Sequence, residues 1–403
     1  MYDNIAALRP FVSVHFIVLC EGLGLPGAVA NVAWKQALGL SLSHPVCLIS
    51  DGLSVERRQQ WNRSRGWLCT HVLQVPGFTC LHRFGHLPRQ LFWILKALLA
   101  TASELSPGDR ATVICHSHPL AAAIALRFGR DVRLLMVSHG DVFSRPPGSY
   151  DPAITFLYRR TARAAHRLAD TSIALSPAMA LRIQAHGVAS QRIALIPNGL
   201  DPEEIGLDRF PAFTSLDHWL QRPLRLLFVG RLDQLKGVDV LLQAITIAHQ
   251  QGTDLELELI AHGTPRQVQD LDQRIQALGF AEVVRLIGPR PRHSLADHYL
   301  RCHAVVVPSL DDPLPTVILE AMACARPVLA SRVGGIPYLL QDGQCGLLVP
   351  PADPCALANG IIRFDQDRAM ASALAEHALE RSRQFSWEVN VQALHALIAS
   401  APF

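Results

Sequence analysis

Asp312 and Glu320 are two carboxylates eight positions apart, and the residues between them, Pro313-Leu314-Pro315-Thr316-Val317-Ile318-Leu319, open an amphipathic helix after a Pro308-Ser309 break. A helix mouth offers free backbone N–H groups and the positive end of the helix dipole, which together hold a diphosphate. Glu320, deeper in the same helix, has the acceptor oxygens to bind a diol such as a ribose. Few ligands other than a nucleotide-sugar need both at once.

A second set of polar residues lies upstream. The apolar run 224–229 leads into Gly230-Arg231-Leu232-Asp233-Gln234-Leu235-Lys236-Gly237 and then into a helical pattern over 238–245. Gly230 is read as the tight turn out of the strand. Arg231 and Lys236 then stand at the strand's carboxyl end, where two cations stabilise a diphosphate as it leaves. The bland alternative is a turn with solvated basic residues. The Asp312–Glu320 helix, at the right strand interval downstream, favours the site.

These residues need elements to hold them. Short apolar runs at 12–19, 46–50, 72–75, 112–115, 134–138 and 171–175 alternate with helical patterns such as 28–38 and 89–100. After a Pro- and Asp-containing stretch, 201–223, the alternation restarts with runs at 224–229, 255–260, 283–287, 304–307, 327–330 and 346–349. Uninterrupted apolar strands belong to parallel sheets covered on both faces. The reading is α/β: two doubly wound Rossmann-like domains, with ligand crevices at the carboxyl ends of the strands.

Composition narrows the classes. The chain has 403 residues, 49% hydrophobic and 18% charged, which suits two large cores and argues against disorder. A formal net charge of +3, with no dense basic run, gives no footprint for nucleic acid. Nine cysteines without CxxC pairs fit a reduced cytosol, and the apolar stretch 11–20 is too short to span a membrane.

The chain resembles the family 4 glycosyltransferases of the GT-B fold. The resemblance rests on Gly230-Arg231-Leu232 through Lys236-Gly237, Pro308-Ser309, Asp312 through Glu320-Ala321-Met322-Ala323, and Gly334-Gly335-Ile336-Pro337. Asp342-Gly343, Gly346-Leu347-Leu348-Val349 and Phe385-Ser386-Trp387 continue it, with Ser138-His139-Gly140, Ser176-Pro177 and Ile196-Pro197-Asn198-Gly199 as looser matches in the first half. The resemblance implies an acceptor domain over 1–200, a linker over 201–223, a nucleotide-sugar domain over 224–385, and a last helix, 386–403, that crosses back. It implies that Glu320 binds the ribose and that Arg231 and Lys236 bind the diphosphate. Gly230, Leu314, Pro315, Thr316 and Val317 would line the donor site, with Gly263 and Pro289 in loops near the base. It implies transfer of a sugar from a UDP- or GDP-linked donor to a saccharide or lipid-linked hydroxyl, with retention of configuration, in cell-surface glycan, lipopolysaccharide or glycolipid synthesis. No cofactor and no metal are implied.

Four positions, in two places, depart from the family's pattern. Asp312 stands where Glu is usual, followed by Pro313-Leu314 in place of Gly-Phe, and Tyr338 stands where Glu commonly follows Gly334-Gly335-Ile336-Pro337. The aspartate reaches less far toward a sugar, and Pro313 supplies no N–H. These departures motivate the alternative, a non-catalytic GT-B subunit that binds nucleotide or a partner.

In the first half, the glycine-rich turn 21–27 follows the first strand, and Gly27 is a candidate donor contact. His139, just past the run 134–138, is a candidate to position the transferred sugar. His116 and His118 also follow a strand but have no evident third metal ligand, and Asp311-Asp312 is no metal motif. The basic, aromatic stretch 83–96 reads as a core helix with solvated charges; the alternative is a helix lying on an anionic membrane surface. Tyr158-Arg159-Arg160 with Arg163 and Arg167 is a second basic face. A cytoplasmic protein, or one peripheral on the inner face of the membrane, is expected. No nucleophilic carboxylate stands out for a double displacement, so a same-face route is expected, with Arg231 and Lys236 stabilising the leaving group.

Overall fold

The computed structural model describes residues 16–20, 28–50, 57, 86–105, 110–140, 152–211, 213 and 223–400. Gly27, the turn 21–27 and the run 72–75 lie outside the described residues. Twelve strands are described: β1 (Phe16–Leu19), β2 (Val46–Ile49), β3 (Ala111–Cys115), β4 (Val132–Val137), β5 (Thr171–Ala174), β6 (Ile193–Leu195), β7 (Leu224–Arg231), β8 (Leu255–His262), β9 (Val284–Leu286), β10 (Ala304–Val307), β11 (Val328–Ser331) and β12 (Leu347–Val349). They form two six-stranded sheets, ordered β2-β1-β3-β4-β5-β6 and β12-β11-β10-β7-β8-β9, with every pairing parallel.

The described chain divides into two compact units. One runs to Leu175, takes up Ala180–Ile196, and resumes at Asn390; the other holds Ser176–Met179 and Pro197–Val389. Residues 197–211, read from sequence as a domain end and linker, thus cluster with the second unit. Ile205 is fully buried there, and Gly206, at φ +93°, leaves no room for a Cβ, which would stand 2.0 Å from the His293 carbonyl oxygen.

In the first unit β1 to β4 are buried along their whole length, as the continuous Val/Ile/Leu runs require of a sheet covered on both faces. Each fully buried Leu or Ile there contributes roughly 1.5–3 kcal/mol. The end of the helix Trp387–Ala399 belongs to this core: Leu394 is fully buried in the cluster of Phe16, Val18, Trp34 and Ile114. A helix's last carbonyls lack intrahelical partners, and here Arg133 donates to Ile398 O at 2.8 Å and to Leu397 O at 3.0 Å. Gly39 is needed because a Cβ would meet the Val391 side chain at 2.4 Å.

The second sheet, counted from β7, has the order 3-2-1-4-5-6. In this doubly wound order the direction of winding reverses between the first and fourth strands, and loops leaving their carboxyl ends frame the ligand crevice. Those strands are β7 and β10. Gly230 is not the turn out of the strand: it pairs with Ala261 inside β7, and Arg231 pairs with His262. The turn falls at Gly237, φ +68°, where a Cβ would lie 2.0 Å from the Pro308 carbonyl oxygen. β6 escaped the sequence reading because it is a three-residue edge strand, only half-buried, with too few apolar residues to signal itself.

Candidate functional site

The loops after β7 and β10 are tied to each other. The Leu310 N–H donates to Leu235 O at 2.7 Å, beside the short 3-10 turn Gln234–Lys236. This brings Lys236 to the second loop, where its Nζ donates to Asp312 Oδ2 at 2.6 Å. Asp312 is buried. Burial pushes its pKa up from the ordinary 3.8, and Lys236 and the Leu314 N–H pull the other way. The cation is a quarter exposed while the carboxylate is 6% exposed, so the open side of the pair is the lysine's.

Gly334 and Gly335 hold the Asp312 backbone. Gly335 N–H donates to Asp312 O at 2.9 Å. Gly334 sits at φ +53°, and a Cβ there would lie 1.9 Å from that same oxygen. A Cβ on Gly335 would meet Pro313 O at 2.0 Å. The helix Thr316–Ala323 starts just after this cradle, with Pro315 at its cap position. Leu314 and Pro315 are buried, and Thr316 and Val317 are half-buried with their N–H groups in the first turn. Arg231 is largely exposed and pairs with Asp233 at 2.7 Å. Gly263 and Pro289 are exposed, in the loops after β8 and β9.

Glu320 lies 4% exposed in that helix, inside a network the sequence did not announce. Tyr299 Oη donates to Glu320 Oε2 at 2.8 Å, and Arg292 Nη2 donates to Oε1 at 3.1 Å. Burial and the adjoining carboxylate raise the Tyr299 pKa well above 10, so the phenol keeps its proton. Arg292 Nη1 also meets Glu204 Oε2 at 2.9 Å. Burial works against the Arg292 charge, but the two glutamates outweigh it and raise its pKa. Glu204 in turn accepts from Trp387 Nε1 and from the Asp201 N–H. Asp201-Pro202-Glu203-Glu204 carries a capping-box spacing that could have placed Glu204; nothing in the sequence pairs Arg292 with it. Tyr338 packs edge-on to Phe385 and under Arg381, away from any role visible at Asp312.

In the first unit, His139 Nε2 lies 2.7 Å from His116 Nδ1, at the carboxyl ends of β4 and β3. Burial lowers the His139 pKa to about 4 and His116 further below its ordinary value, so both rings are neutral at pH 7. His118 turns instead to the His166 ring, 5.1 Å away. Among the described residues no three His, Cys, Asp or Glu side chains gather as a metal site, and no helix is long and apolar enough to cross a membrane. The helix Pro152–Leu168 exposes Phe156, Arg159, Arg160 and Arg163 on one face. None of the seven described cysteines is in a disulfide, and six of them are buried.

Two family models match: one described as glycosyl transferases group 1, over residues 223–367, and one described as Glycosyltransferase Family 4, over residues 29–204. A D-inositol 3-phosphate glycosyltransferase of Streptosporangium roseum is 32% identical over 343 residues, 79% of this chain and 75% of its own. The chain belongs to glycosyltransferase family 4. Several other relatives of the same name match over less. That of Corynebacterium jeikeium is 30% identical across 55% of this chain and 54% of its own, so the family 4 chain spans about half the length of such curated relatives. Among solved structures, Anabaena HepE in complex with UDP superposes with a TM-score of 0.72 at 21% identity, over 96% of this chain and 100% of HepE. Sucrose-phosphate synthase from Thermosynechococcus elongatus gives 0.73 at 21%, over 96% and 100%. At that identity they establish the fold, which is GT-B.

Proposed function

We propose that this family 4 chain transfers a glycosyl group from a nucleoside diphosphate sugar to a hydroxyl acceptor, retaining the anomeric configuration. The observation that carries the reading is the Lys236–Asp312 pair, 2.6 Å across, set at the switch point of the second sheet directly before a helix mouth. The donor diphosphate lies against that helix start and Lys236, with Arg231 beside it, and Glu320 accepts the ribose hydroxyls. As the bond from C1 to the phosphate oxygen breaks, negative charge grows on that oxygen. Lys236, released in part from Asp312, donates to it. The acceptor hydroxyl approaches on the same face, forms the new C1–O bond, and passes its proton to the departing phosphate. Asp312 orients sugar hydroxyls. The products are the glycoside and the protonated nucleoside diphosphate, and no metal or cofactor enters.

HepE, solved with UDP and with UDP-glucose, makes UDP the first donor nucleotide to try, with GDP second. The names of the relatives make a polyol phosphate a first acceptor beside saccharide and lipid-linked hydroxyls. Melting temperature measured with UDP, GDP and ADP tests the donor site, since saturation at a hundredfold excess over Kd adds about 2.7 kcal/mol. One nucleotide should raise it, its sugar should be hydrolysed slowly, and Lys236→Ala should lose that turnover at saturating donor. If none raises it, or if Lys236→Ala keeps full turnover, the reading is wrong; binding without any turnover would leave only a nucleotide-binding subunit.

A further inference from the structure

Glu320 is reached by an arginine that itself depends on a second glutamate. Arg292 sits in the 3-10 turn Arg292–Ser294, and its guanidinium spans Glu204 Oε2 at 2.9 Å and Glu320 Oε1 at 3.1 Å. Both carboxylates are well buried, 12% and 5% exposed at the side chain, while Arg292 is 33% exposed. A carboxylate buried with only the Tyr299 hydroxyl could rotate about its last torsion, which is broad for glutamate. With Arg292 on one oxygen and Tyr299 on the other, its plane is fixed. Each carboxylate oxygen can accept two hydrogen bonds, so one partner on each leaves capacity on both for a vicinal diol.

Glu204 is similarly pinned: Oε1 accepts from Trp387 Nε1 and the Asp201 N–H, and Oε2 meets Arg292 Nη1 at 2.9 Å. The chain Trp387–Glu204–Arg292–Glu320 therefore fixes the arginine from behind, through residues of the 3-10 turn Pro202–Ile205 and the first turn of the last helix.

We propose that Arg292 is a positioning residue that, braced by Glu204, sets how strictly the donor site demands a ribose over a deoxyribose. It rests on the reading of Glu320 as the acceptor of the donor's diol. Arg292 does not touch the reacting atoms; it acts by holding Glu320 so that both hydroxyls are bound together.

Calorimetric titration with UDP and 2′-deoxy-UDP tests it, with GDP and ADP pairs run in parallel. The wild-type protein should prefer the ribonucleotide by about tenfold, the worth of a hydrogen bond to a charged acceptor. Arg292→Gln should bring that preference down to near one while 2′-deoxy-UDP binds as before. Arg292→Lys should restore part of it. Glu204→Gln, which leaves Glu320 and Arg292 in place, should give an intermediate preference and guards against a misfolded Arg292 variant. An Arg292→Gln protein that keeps the wild-type preference, or that loses both nucleotides equally, overturns the proposal. Glu320→Gln reports on the underlying reading: if it leaves the ribose preference intact, Glu320 is not the diol acceptor, and the role of Arg292 falls with it.

Discussion

Lys236 and Asp312 are 76 residues apart in the chain and 2.6 Å apart in space. Each was legible as a candidate by type and position. Their pairing was not, because it depends on β7 and β10 being neighbours, which only the sheet order supplies. The same holds for Glu320: the residue stood out, but its partners Tyr299 and Arg292 come from a helix and a turn whose residue types carry no signal alone. Gly230 was read as a turn because glycine after an apolar run usually is one; here the β8 strand extends far enough to keep it paired. Asp312→Asn separates function from stability. Burial opposes the Asp312 charge, and Lys236 is exposed enough to be hydrated alone, so stability should change by less than about 1 kcal/mol. Donor turnover should fall roughly 10- to 100-fold, the range for losing a charged hydrogen bond. Denaturant titration and steady-state kinetics on one preparation check both halves.

At the scale of elements, the loop after β10 is held by the loop after β11. Gly334 presses against Asp312 O with a positive φ, and no side chain fits there. Gly334→Ala should displace residues 312–313, lower stability by about 2 kcal/mol or more, and abolish donor turnover. Gly279→Ala is the matched comparison: its φ is +73° with nothing within 4 Å. It should cost about 1 kcal/mol and leave turnover alone. Unfolding curves with activity assays distinguish the two. The strands themselves were readable because parallel sheets buried on both faces demand unbroken apolar runs. β6 and the 3-10 turns were not, since short half-buried segments are set by what they pack on.

For the whole molecule, acid acts in opposite senses on the buried histidines of the first unit and on Asp312 of the second. In the first, burial lowers the pKa of His118 and His139 to about 4 and of His166 to about 3. The folded form refuses protons that the unfolded chain accepts near pH 6.5. Stability is therefore full above pH 6.5 and is lost as pH falls toward 3, with each such group tilting it by at most about 1.4 kcal/mol per pH unit. Asp312 in the second unit has a raised pKa, so its contribution is present below 3.8 and is lost as pH rises through the folded value. Hydrogen exchange read unit by unit between pH 7 and 4 should show the unit that holds His118, His139 and His166 opening first; equal loss of protection in both units would refute this.

The return of the last helix to the first unit has a consequence for biosynthesis. Leu394 and the Arg133-held carbonyls of Leu397 and Ile398 complete a core whose other residues are translated before any of Pro197–Val389. A ribosome delivers the chain in one direction. The earlier-made half must therefore wait, with the groove for that helix uncovered, until the whole of the other unit has emerged, and this interval is when a chaperone would find its apolar surface.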